Sequence, residues 1–261
     1  MSDPRPARVL LLGGLDPSGG AGITVDATVV ALHGAQPLPV ALTATTQGAR
    51  GFVDSHPIPA EVWRGQVENV LADGPPAAVK VGYLGDAAVA AEVAEALRPL
   101  AGRCPVVVDP VLSATAGGMP EPADLADAYV ARLAPLAALV TPNSPELERL
   151  AAGDASRLLE AGAGAVLHKG GHGRGGEAVD ELHVPGASRR FVRVRFDCGP
   201  VRGTGCALAS AIAVRLAAGT SVEDACLGAG DWLASLLAEL RPLQSGVAQA
   251  LPLSRGGTCP R

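Results

Sequence analysis

Short apolar runs alternate with segments of helical spacing along most of this chain. A continuous apolar run predicts a buried strand, and apolar residues three and four positions apart predict an amphipathic helix. The pattern predicts strands at 8–12, 39–43, 78–82, 106–109, 138–141 and 165–169, and a hairpin at 181–184 and 191–195. It predicts helices at 23–33, 60–71, 86–97, 123–133, 144–152, 204–218 and 221–240.

This alternation predicts an α/β fold with a mostly parallel central sheet and helices on both faces. Parallel strands need helical crossovers, and those helices cover the sheet on both sides. Neither an internal repeat nor a linker divides the sequence, so a single domain over residues 1–261 is predicted. Residues 241–261 are rich in Pro, Gly and Ser and are predicted to form a loosely held tail.

The composition narrows the classes of function. Of the 261 residues, 48% are hydrophobic but only 3% are aromatic, so the core must be built from Ala, Val and Leu. The formal net charge of −5 and the lack of a long basic run argue against a nucleic-acid partner. No apolar stretch reaches the length of a membrane span, so no membrane partner is expected.

The cysteines indicate a reducing compartment. Five are present, an odd number, and none forms a Cys-x-x-Cys pair. The polar N-terminus leads into only four apolar residues before two glycines, which is too short for a signal peptide. We therefore expect a cytoplasmic protein.

The richest chemical signal is a glycine turn that runs directly into an alanine-rich helix. The turn consists of Gly203, Thr204, Gly205 and Cys206. Backbone N–H groups and the positive end of the helix dipole would meet there, which suits an anion such as a phosphate. The same dipole would favour the thiolate form of Cys206. The alternative is a tight turn with a small buried cysteine.

Further polar residues stand at the ends of predicted strands, and the carboxyl ends of parallel strands share one edge of a sheet. Asp109 is suited to shaping a phosphate or metal site, Asn143 and Glu146 combine an amide with a carboxylate, and Lys169 precedes a glycine loop. Each also has a plain structural interpretation, as a turn former, a helix-capping pair or a surface turn. Their joint position at one edge favours a functional site.

Two common nucleotide-binding signatures are missing from the sequence. GxxxxGK[ST] does not occur, and the glycines after the first strand do not have the spacing of GxGxxG. The sequence therefore argues against a P-loop NTPase and against a dinucleotide-dependent dehydrogenase.

Seven short motifs follow one another along the chain. They are Gly-Leu-Asp-Pro-Ser-Gly-Gly-Ala-Gly-Ile at 14–23 with Asp26, Ala-Leu-Thr-Ala at 41–44, Val-Lys-Val-Gly at 79–82, Val-Asp-Pro-Val at 108–111, Thr-Pro-Asn at 141–143 through Glu146, Lys-Gly-Gly-His at 169–172 and Gly-Thr-Gly-Cys at 203–206. In this order they resemble the hydroxymethylpyrimidine/phosphomethylpyrimidine kinases of thiamine biosynthesis, within the ribokinase superfamily. The resemblance covers roughly residues 8–240.

The resemblance implies a three-layer ribokinase-like fold and an Mg²⁺- and ATP-dependent kinase. Its substrates would be 4-amino-5-hydroxymethyl-2-methylpyrimidine and the corresponding monophosphate, and related kinases are commonly homodimers. Cys206 would be the catalytic base, beside an anion hole formed by Gly203, Thr204 and Gly205. ATP would contact Asp109, Asn143, Lys169 and Thr204, and the metal ion would be held by Asp109 and Glu146.

The resemblance places a second group of residues on the substrate side: Gly14, Asp16, Ala21, Asp26, Thr45, Gln47, Tyr83 and Val111. Three positions depart from the family pattern. Members of the family have a glutamine that binds the pyrimidine; here Thr45 occupies that position, or a short insertion moves Gln47 into it. Tyr83 stands where the family has a methionine. Arg202 stands where the family often has histidine, and two interpretations apply to it: a phosphate contact or a surface salt bridge.

Two alternative functions follow from the same residues. A pyridoxal or pyridoxine kinase of the same fold would also phosphorylate an aromatic hydroxymethyl group. A non-catalytic pyrimidine-binding relative is opposed by the intact polar residues at the phosphate end. Segments 113–120 and 170–176 are the predicted mobile covers of the site.

Overall fold

A nine-stranded mixed sheet forms the centre of the computed structural model, which describes residues 6–112, 122, 124–171, 176–243 and 247–253. The strands are β1 (Arg8–Leu15), β2 (Gln36–Gly48), β3 (Gly51–Pro57), β4 (Ala78–Val81), β5 (Val106–Val108), β6 (Leu139–Val140), β7 (Val166–His168), β8 (Glu177–Val184) and β9 (Ala187–Val194). Their order in the sheet is β3-β2-β1-β4-β5-β6-β7-β8-β9. The six strands from β2 to β7 in this order run parallel, and β3, β8 and β9 are antiparallel to their neighbours.

Helices cover both faces of the sheet, as the sequence predicted. They are α1 (Gly22–Leu32), α2 (Ala60–Ala72), α3 (Ala87–Leu97), α4 (Leu125–Ala128), α5 (Ser144–Ala151), α6 (Ala155–Glu160), α7 (Thr204–Ala217) and α8 (Val222–Ala238). Residues of α2 to α6 pack in one core, and residues of α1, α7 and α8 pack in the other. Within the described residues, no helix is both long enough and apolar enough to cross a membrane.

Strand β1 illustrates why the sheet must be covered on both sides. Leu10 and Leu12 belong to the first core, and Val9 and Leu11 to the second; all four side chains are fully buried. Successive side chains of a strand point to opposite faces, so a continuous apolar run needs an apolar partner on each face.

Several predicted boundaries differ from the structure. Strand β2 is thirteen residues long, and a tight turn connects it to the antiparallel strand β3. The end of β2 and the whole of β3 were not predicted, because residues 44–57 are rich in polar side chains. The short helix α6 was also missed. The helix predicted at 123–133 is instead α4 followed by a π-helical turn at Tyr129–Leu133.

Part of the segment predicted as a loosely held tail makes specific contacts. Gln249–Ala250 forms a short strand, β11, that pairs in parallel with β10 (Val201–Arg202). The side chain of Gln249 donates hydrogen bonds to the carbonyl oxygens of Cys198 and Arg241, and Leu251 is buried. These contacts hold the strand that leads directly into the glycine turn before α7.

Candidate active site

A cavity of about 470 Å³ opens at the carboxyl ends of the parallel strands. The predicted site residues that line it are Gly14, Ala21, Asp26, Thr45, Gln47, Tyr83, Asp109, Val111, Asn143, Glu146, Lys169, Gly203, Thr204, Gly205 and Cys206. Residues far apart in sequence therefore meet at one place, as expected for ligand sites of open α/β sheets. Asp16 is the one predicted site residue that does not line this cavity.

The glycine turn places the N-terminus of α7 in this cavity. Gly203 precedes the helix with φ of 75°, and a Cβ atom there would collide with the carbonyl oxygen of Gly20. A Cβ atom at Gly205 would lie 3.3 Å from Nζ of Lys169 and 3.7 Å from Oδ2 of Asp109. The unpaired N–H groups of the first helical turn therefore stand beside a lysine, in an arrangement that suits a phosphoryl group.

Lys169 joins two carboxylates at this end of the cavity. Its Nζ donates a 2.8 Å hydrogen bond to Asp109 and lies 3.8 Å from Glu146, and Thr141 donates to Asp109 at 3.2 Å. Burial by itself would raise the pKa of Asp109, but Lys169 and Lys80 lower it overall. Burial raises the pKa of Glu146 to about 7, with Lys169 acting against the rise and Asp109 adding to it.

The same carboxylates are suitable donors for Mg²⁺. This ion prefers oxygen ligands and is commonly held by one or two carboxylates together with waters and substrate phosphates. Among the described residues no group of three or more His, Cys, Asp or Glu side chains is placed to hold a metal. Asp109 and Glu146, which both line the cavity, are carboxylates of the kind this ion uses.

Asn143 and Glu146 form the capping box that the sequence offered as a plain alternative. The Asn143 side chain accepts a 2.9 Å hydrogen bond from the Glu146 backbone N–H, and Glu146 Oε2 accepts one of 2.8 Å from the Asn143 backbone N–H. The box starts α5 and fixes the Glu146 carboxylate, 4% exposed, at the rim of the cavity. Here the capping role positions a residue of the candidate site.

Burial acts on Cys206 against the predicted thiolate form. It raises the pKa of the thiol to about 12, and the charges of Asp26 and Asp109 act in the same direction. Lys80 and a hydrogen bond from the backbone of Gly22 act against the rise but do not overcome it. The dipole of α7 would also favour the anion, because Cys206 lies in the first turn of the helix.

A buried ion pair in the wall of the cavity was not predicted. Nζ of Lys80 donates a 2.8 Å hydrogen bond to Asp26, whose other carboxylate oxygen accepts one of 2.8 Å from Ser210. Lys80 and Asp26 are both fully buried. A signal was available in the sequence: Lys80 and Lys169 are the only lysines among the 21 Lys and Arg residues.

At the other end of the cavity, the hydroxyl group of Thr45 is already engaged. It donates a 2.8 Å hydrogen bond to the carbonyl oxygen of Leu15 and accepts one of 2.8 Å from Nε2 of Gln47. Tyr83 packs against Gly14, where a Cβ atom would lie 2.9 Å from its ring, and its hydroxyl is 3.3 Å from that of Ser55. Of the two candidates for the position of the family's glutamine, Gln47 has a second amide hydrogen that it can donate to a ligand.

Arg202 forms a buried ion pair and not a surface salt bridge. Its guanidinium group, 7% exposed, lies 2.6 Å from the fully buried carboxylate of Asp16 and donates a 2.8 Å hydrogen bond to Ser18. Asp16 therefore stands behind Arg202, away from the cavity surface. Asp16 thus reaches the cavity only through its hydrogen bond with Arg202, which does line the cavity.

An apolar wall of the cavity was not predicted. This wall is formed by Leu233, Ala234 and Leu237 of α8, next to Gly230. Arg193 of β9 lies there, held by Asp180 and Asp231 at 3.2 and 2.8 Å, and a Cβ atom at Gly230 would collide with its guanidinium group. A glycine in the middle of a helix was the available signal. His172 and the predicted cover at 113–120 lie outside the described residues, as does most of the cover at 170–176.

Known proteins resemble this chain over most of its length. The family model described as phosphomethylpyrimidine kinase matches residues 16–251. A thiamine biosynthesis bifunctional protein of Geobacter sulfurreducens is 37% identical over 91% of this chain, which spans half of that protein's length. A hydroxymethylpyrimidine/phosphomethylpyrimidine kinase of Mycobacterium bovis is 35% identical, with 96% of this chain and 95% of the relative covered.

Solved structures show the same fold. The pyridoxal kinase of Staphylococcus aureus, in complex with AMP-PCP and pyridoxal, matches with a TM-score of 0.81 and 25% identity over 93% of this chain and 94% of its own. A phosphomethylpyrimidine kinase of Clostridium difficile matches with a TM-score of 0.76 and 28% identity over 88% of this chain and 98% of its own. This chain therefore belongs to the phosphomethylpyrimidine kinase family of phosphotransferases.

Proposed function

We propose that this protein transfers the γ-phosphoryl group of ATP to 4-amino-5-hydroxymethyl-2-methylpyrimidine, and then to the resulting monophosphate. One observation carries the proposal: the N-terminus of α7, Lys169 and Asp109 converge on one end of a cavity whose other end is lined by Gln47 and Tyr83. The first end suits the phosphates and the second an aromatic ring.

The phosphate end provides charge and fixed geometry, which phosphoryl transfer needs more than covalent chemistry. The N–H groups of the first turn of α7 would donate to the oxygens of the transferred group. Lys169 neutralises part of their charge, and its contact with Asp109 holds the ammonium in place. Mg²⁺ bound through Asp109 and Glu146 would screen the nucleotide phosphates. The apolar wall of α8 would cover the base of the nucleotide.

In the first reaction the hydroxymethyl oxygen forms a bond to the γ-phosphorus, the bond between that phosphorus and ADP breaks, and the hydroxyl proton must leave. Cys206 is the proposed acceptor because it lines the cavity in the first turn of α7. With a pKa of about 12, its thiol is almost fully protonated at neutral pH. The reaction through Cys206 should therefore accelerate as pH rises.

A pyridoxal kinase is the second candidate function. It is favoured by the likeness to the Staphylococcus aureus enzyme and by the substrate end, where Tyr83 gives the cavity a phenol hydroxyl. A pyridine ring with a hydroxymethyl group would fit between the same walls.

Coupled ATP turnover distinguishes these candidates. The panel would be the hydroxymethylpyrimidine, its monophosphate, pyridoxal and pyridoxine, each with and without Mg²⁺. The highest kcat/KM for the pyrimidines supports the main proposal, and the highest value for pyridoxal supports the second. Binding of one compound without turnover of any would identify a non-catalytic relative.

Two further properties belong to this proposal. We expect a homodimer, as is common among such kinases, and the 75% exposure of Val53 on the edge strand β3 is compatible with a partner there. We also expect a reducing, cytoplasmic location, supported by the free cysteines Cys104, Cys198, Cys206 and Cys226. Light scattering of the purified protein and fractionation of the source cells would test these two expectations.

A further inference from the structure

Arg202 is held rigidly from behind the cavity. One carboxylate oxygen of Asp16 accepts from Arg202, and the other accepts from the backbone N–H and the hydroxyl group of Ser18 at 2.9 and 2.7 Å. Ser18 in turn accepts a hydrogen bond from Arg202. Arg202 and Asp16 are 6% and 0% exposed. This buried guanidinium cannot turn without breaking its hydrogen bonds to Asp16 and Ser18.

Arg202 also fixes which way the side-chain amide of Gln47 points. Arg202 donates to Oε1 of Gln47 at 3.2 Å, and Nε2 of Gln47 donates to Thr45 at 2.8 Å. A guanidinium group has only donors, so the amide oxygen must face it. The hydroxyl hydrogen of Thr45 is committed to the Leu15 carbonyl, so Thr45 can only accept from Gln47.

One amide hydrogen of Gln47 is not used in this hydrogen-bonded network. Nε2 of Gln47 carries two hydrogens, and within the described part of the chain only the one directed at Thr45 has a partner. Gln47 is partly buried and borders the cavity together with Thr45 and Arg202. A donor in this position is satisfied by a ligand that brings an acceptor atom.

We propose that Arg202 is a specificity-determining positioning residue, which holds the Gln47 amide with an N–H toward the cavity so that the site selects an aromatic ring bearing an unprotonated acceptor nitrogen. The inference rests on the proposed function, since it concerns the substrate end of that site. Neither Arg202 nor Asp16 touches the reacting atoms. The selected feature is a ring nitrogen lone pair, whereas a C–H group at that place leaves the Gln47 donor unpaired.

A merely structural role for Arg202 makes a different prediction. If the guanidinium group only braces the loop that contains Asp16, its loss should weaken all ligands equally. If it sets the direction of the Gln47 amide, its loss should remove the preference for a nitrogen over a C–H group. An amide that is free to turn can present either its oxygen or its N–H group.

The test is calorimetric titration without nucleotide, so that binding is measured apart from turnover. The probes are the hydroxymethylpyrimidine and two analogues in which one ring nitrogen or the other is replaced by C–H. We expect one analogue to bind wild-type protein about tenfold more weakly, the scale of one hydrogen bond to an uncharged group with its donor left unpaired. In Gln47→Glu, which keeps an oxygen for Arg202 but loses the donor, that ratio should fall below about threefold.

Arg202→Met should lower the same ratio, and Arg202→Lys should not restore it, because a lysine cannot bond Asp16, Ser18 and Gln47 in the same fork. The matched controls are Gln66→Glu on the exposed side of α2 and Arg98→Met in an exposed ion pair with Glu95. Both controls should keep the wild-type ratio. If the Arg202 variants do not fold, Gln47→Glu still tests whether the Gln47 donor selects the ring nitrogen.

The outcomes separate the two proposals. A wild-type protein that binds none of the three probes overturns the proposed function together with this inference. A wild-type protein that binds all three equally, or a Gln47→Glu variant that keeps the tenfold ratio, overturns the inference and leaves the kinase proposal intact.

Discussion

The ammonium group of Lys80 lies 2.8 Å from the carboxylate of Asp26, and both of these fully buried residues line the cavity. Burial alone would lower the pKa of Lys80, but Asp26 and other nearby groups raise it above its ordinary value. The lysine therefore stays charged and needs its partner. Both charges also shift the pKa of Cys206, in opposite directions.

Removing one member of this pair should destabilise the protein strongly. Lys80→Met leaves the Asp26 carboxylate buried without a counter-ion, and Asp26→Asn leaves the Lys80 ammonium group buried without one. Each variant should lose about 3–5 kcal/mol of unfolding free energy. The double variant should recover a large part of the loss, because no lone charge remains. Urea unfolding of the four proteins measures this, and losses that simply add would contradict a direct pairing.

This pair also illustrates what could be predicted from the sequence. The strand that carries Lys80 and the helix that carries Asp26 were both predicted, because their apolar patterns are local. Their contact joins residues 54 positions apart, and no local pattern encodes it. The same holds for Arg202 and Asp16, 186 positions apart; the sequence suggested a phosphate contact or a surface salt bridge for Arg202, and no pairing with Asp16.

The phosphate end was easier to predict than the substrate end for a physical reason. Asp109, Asn143 and Lys169 follow strands whose direction is fixed by the parallel sheet, so their convergence follows from topology. Gln47 lies at the end of the polar extension of β2, beyond the apolar run that identified the strand. The direction of its amide depends on Arg202, which lies on β10, 155 positions further along the sequence.

Cys206→Ala should separate the two phosphorylation steps. The hydroxyl group of the pyrimidine must lose a proton, and removal of a general base costs about 10²-fold or more in kcat. A phosphate monoester is largely a dianion at pH 7, with a second pKa of about 6, so it can attack without a base. Turnover of the monophosphate by Cys206→Ala should therefore fall much less than turnover of the alcohol.

The pH dependence of the wild-type protein provides the complementary measurement. A thiol with a pKa of about 12 gains thiolate about tenfold per pH unit across the neutral range. The logarithm of kcat for the hydroxymethylpyrimidine should rise between pH 6 and 9, and in Cys206→Ala this rise should disappear. Equal losses for both substrates, or a flat wild-type profile, would remove Cys206 from proton transfer.

Gly205→Ala should impair the use of ATP without unfolding the protein. Its Cβ atom would lie 3.3 Å from Lys169 Nζ and 3.7 Å from Asp109, in the space proposed for the transferred phosphoryl group. The position lies in helix α7, where alanine is a better helix former than glycine. We expect at least a tenfold lower kcat/KM for ATP, about 1.4 kcal/mol, with a melting temperature at or above that of the wild type.

Gly65→Ala is the matched control for this variant. Gly65 lies in helix α2, and a Cβ atom there would meet no atom within 4 Å. It should raise the unfolding free energy by about 0.5–1 kcal/mol and leave ATP kinetics unchanged. Wild-type kinetics in Gly205→Ala would show that the N-terminus of α7 does not receive the phosphoryl group.

His33 should make the protein less stable in mild acid. Burial lowers the pKa of His33 to about 4, and the charge of Arg215 lowers it further; its ring also packs edge-on against Trp232 at 4.8 Å between centroids. In the unfolded chain the imidazole has a pKa of about 6.5 and takes up a proton first. The unfolded state is therefore favoured as pH falls from about 6.5 toward 4.

The melting temperature should drop from pH 7 to pH 5, and His33→Gln should show a smaller drop. His56→Gln, at an exposed position, should behave like the wild type. An equal drop in all three proteins would assign the acid sensitivity to other groups.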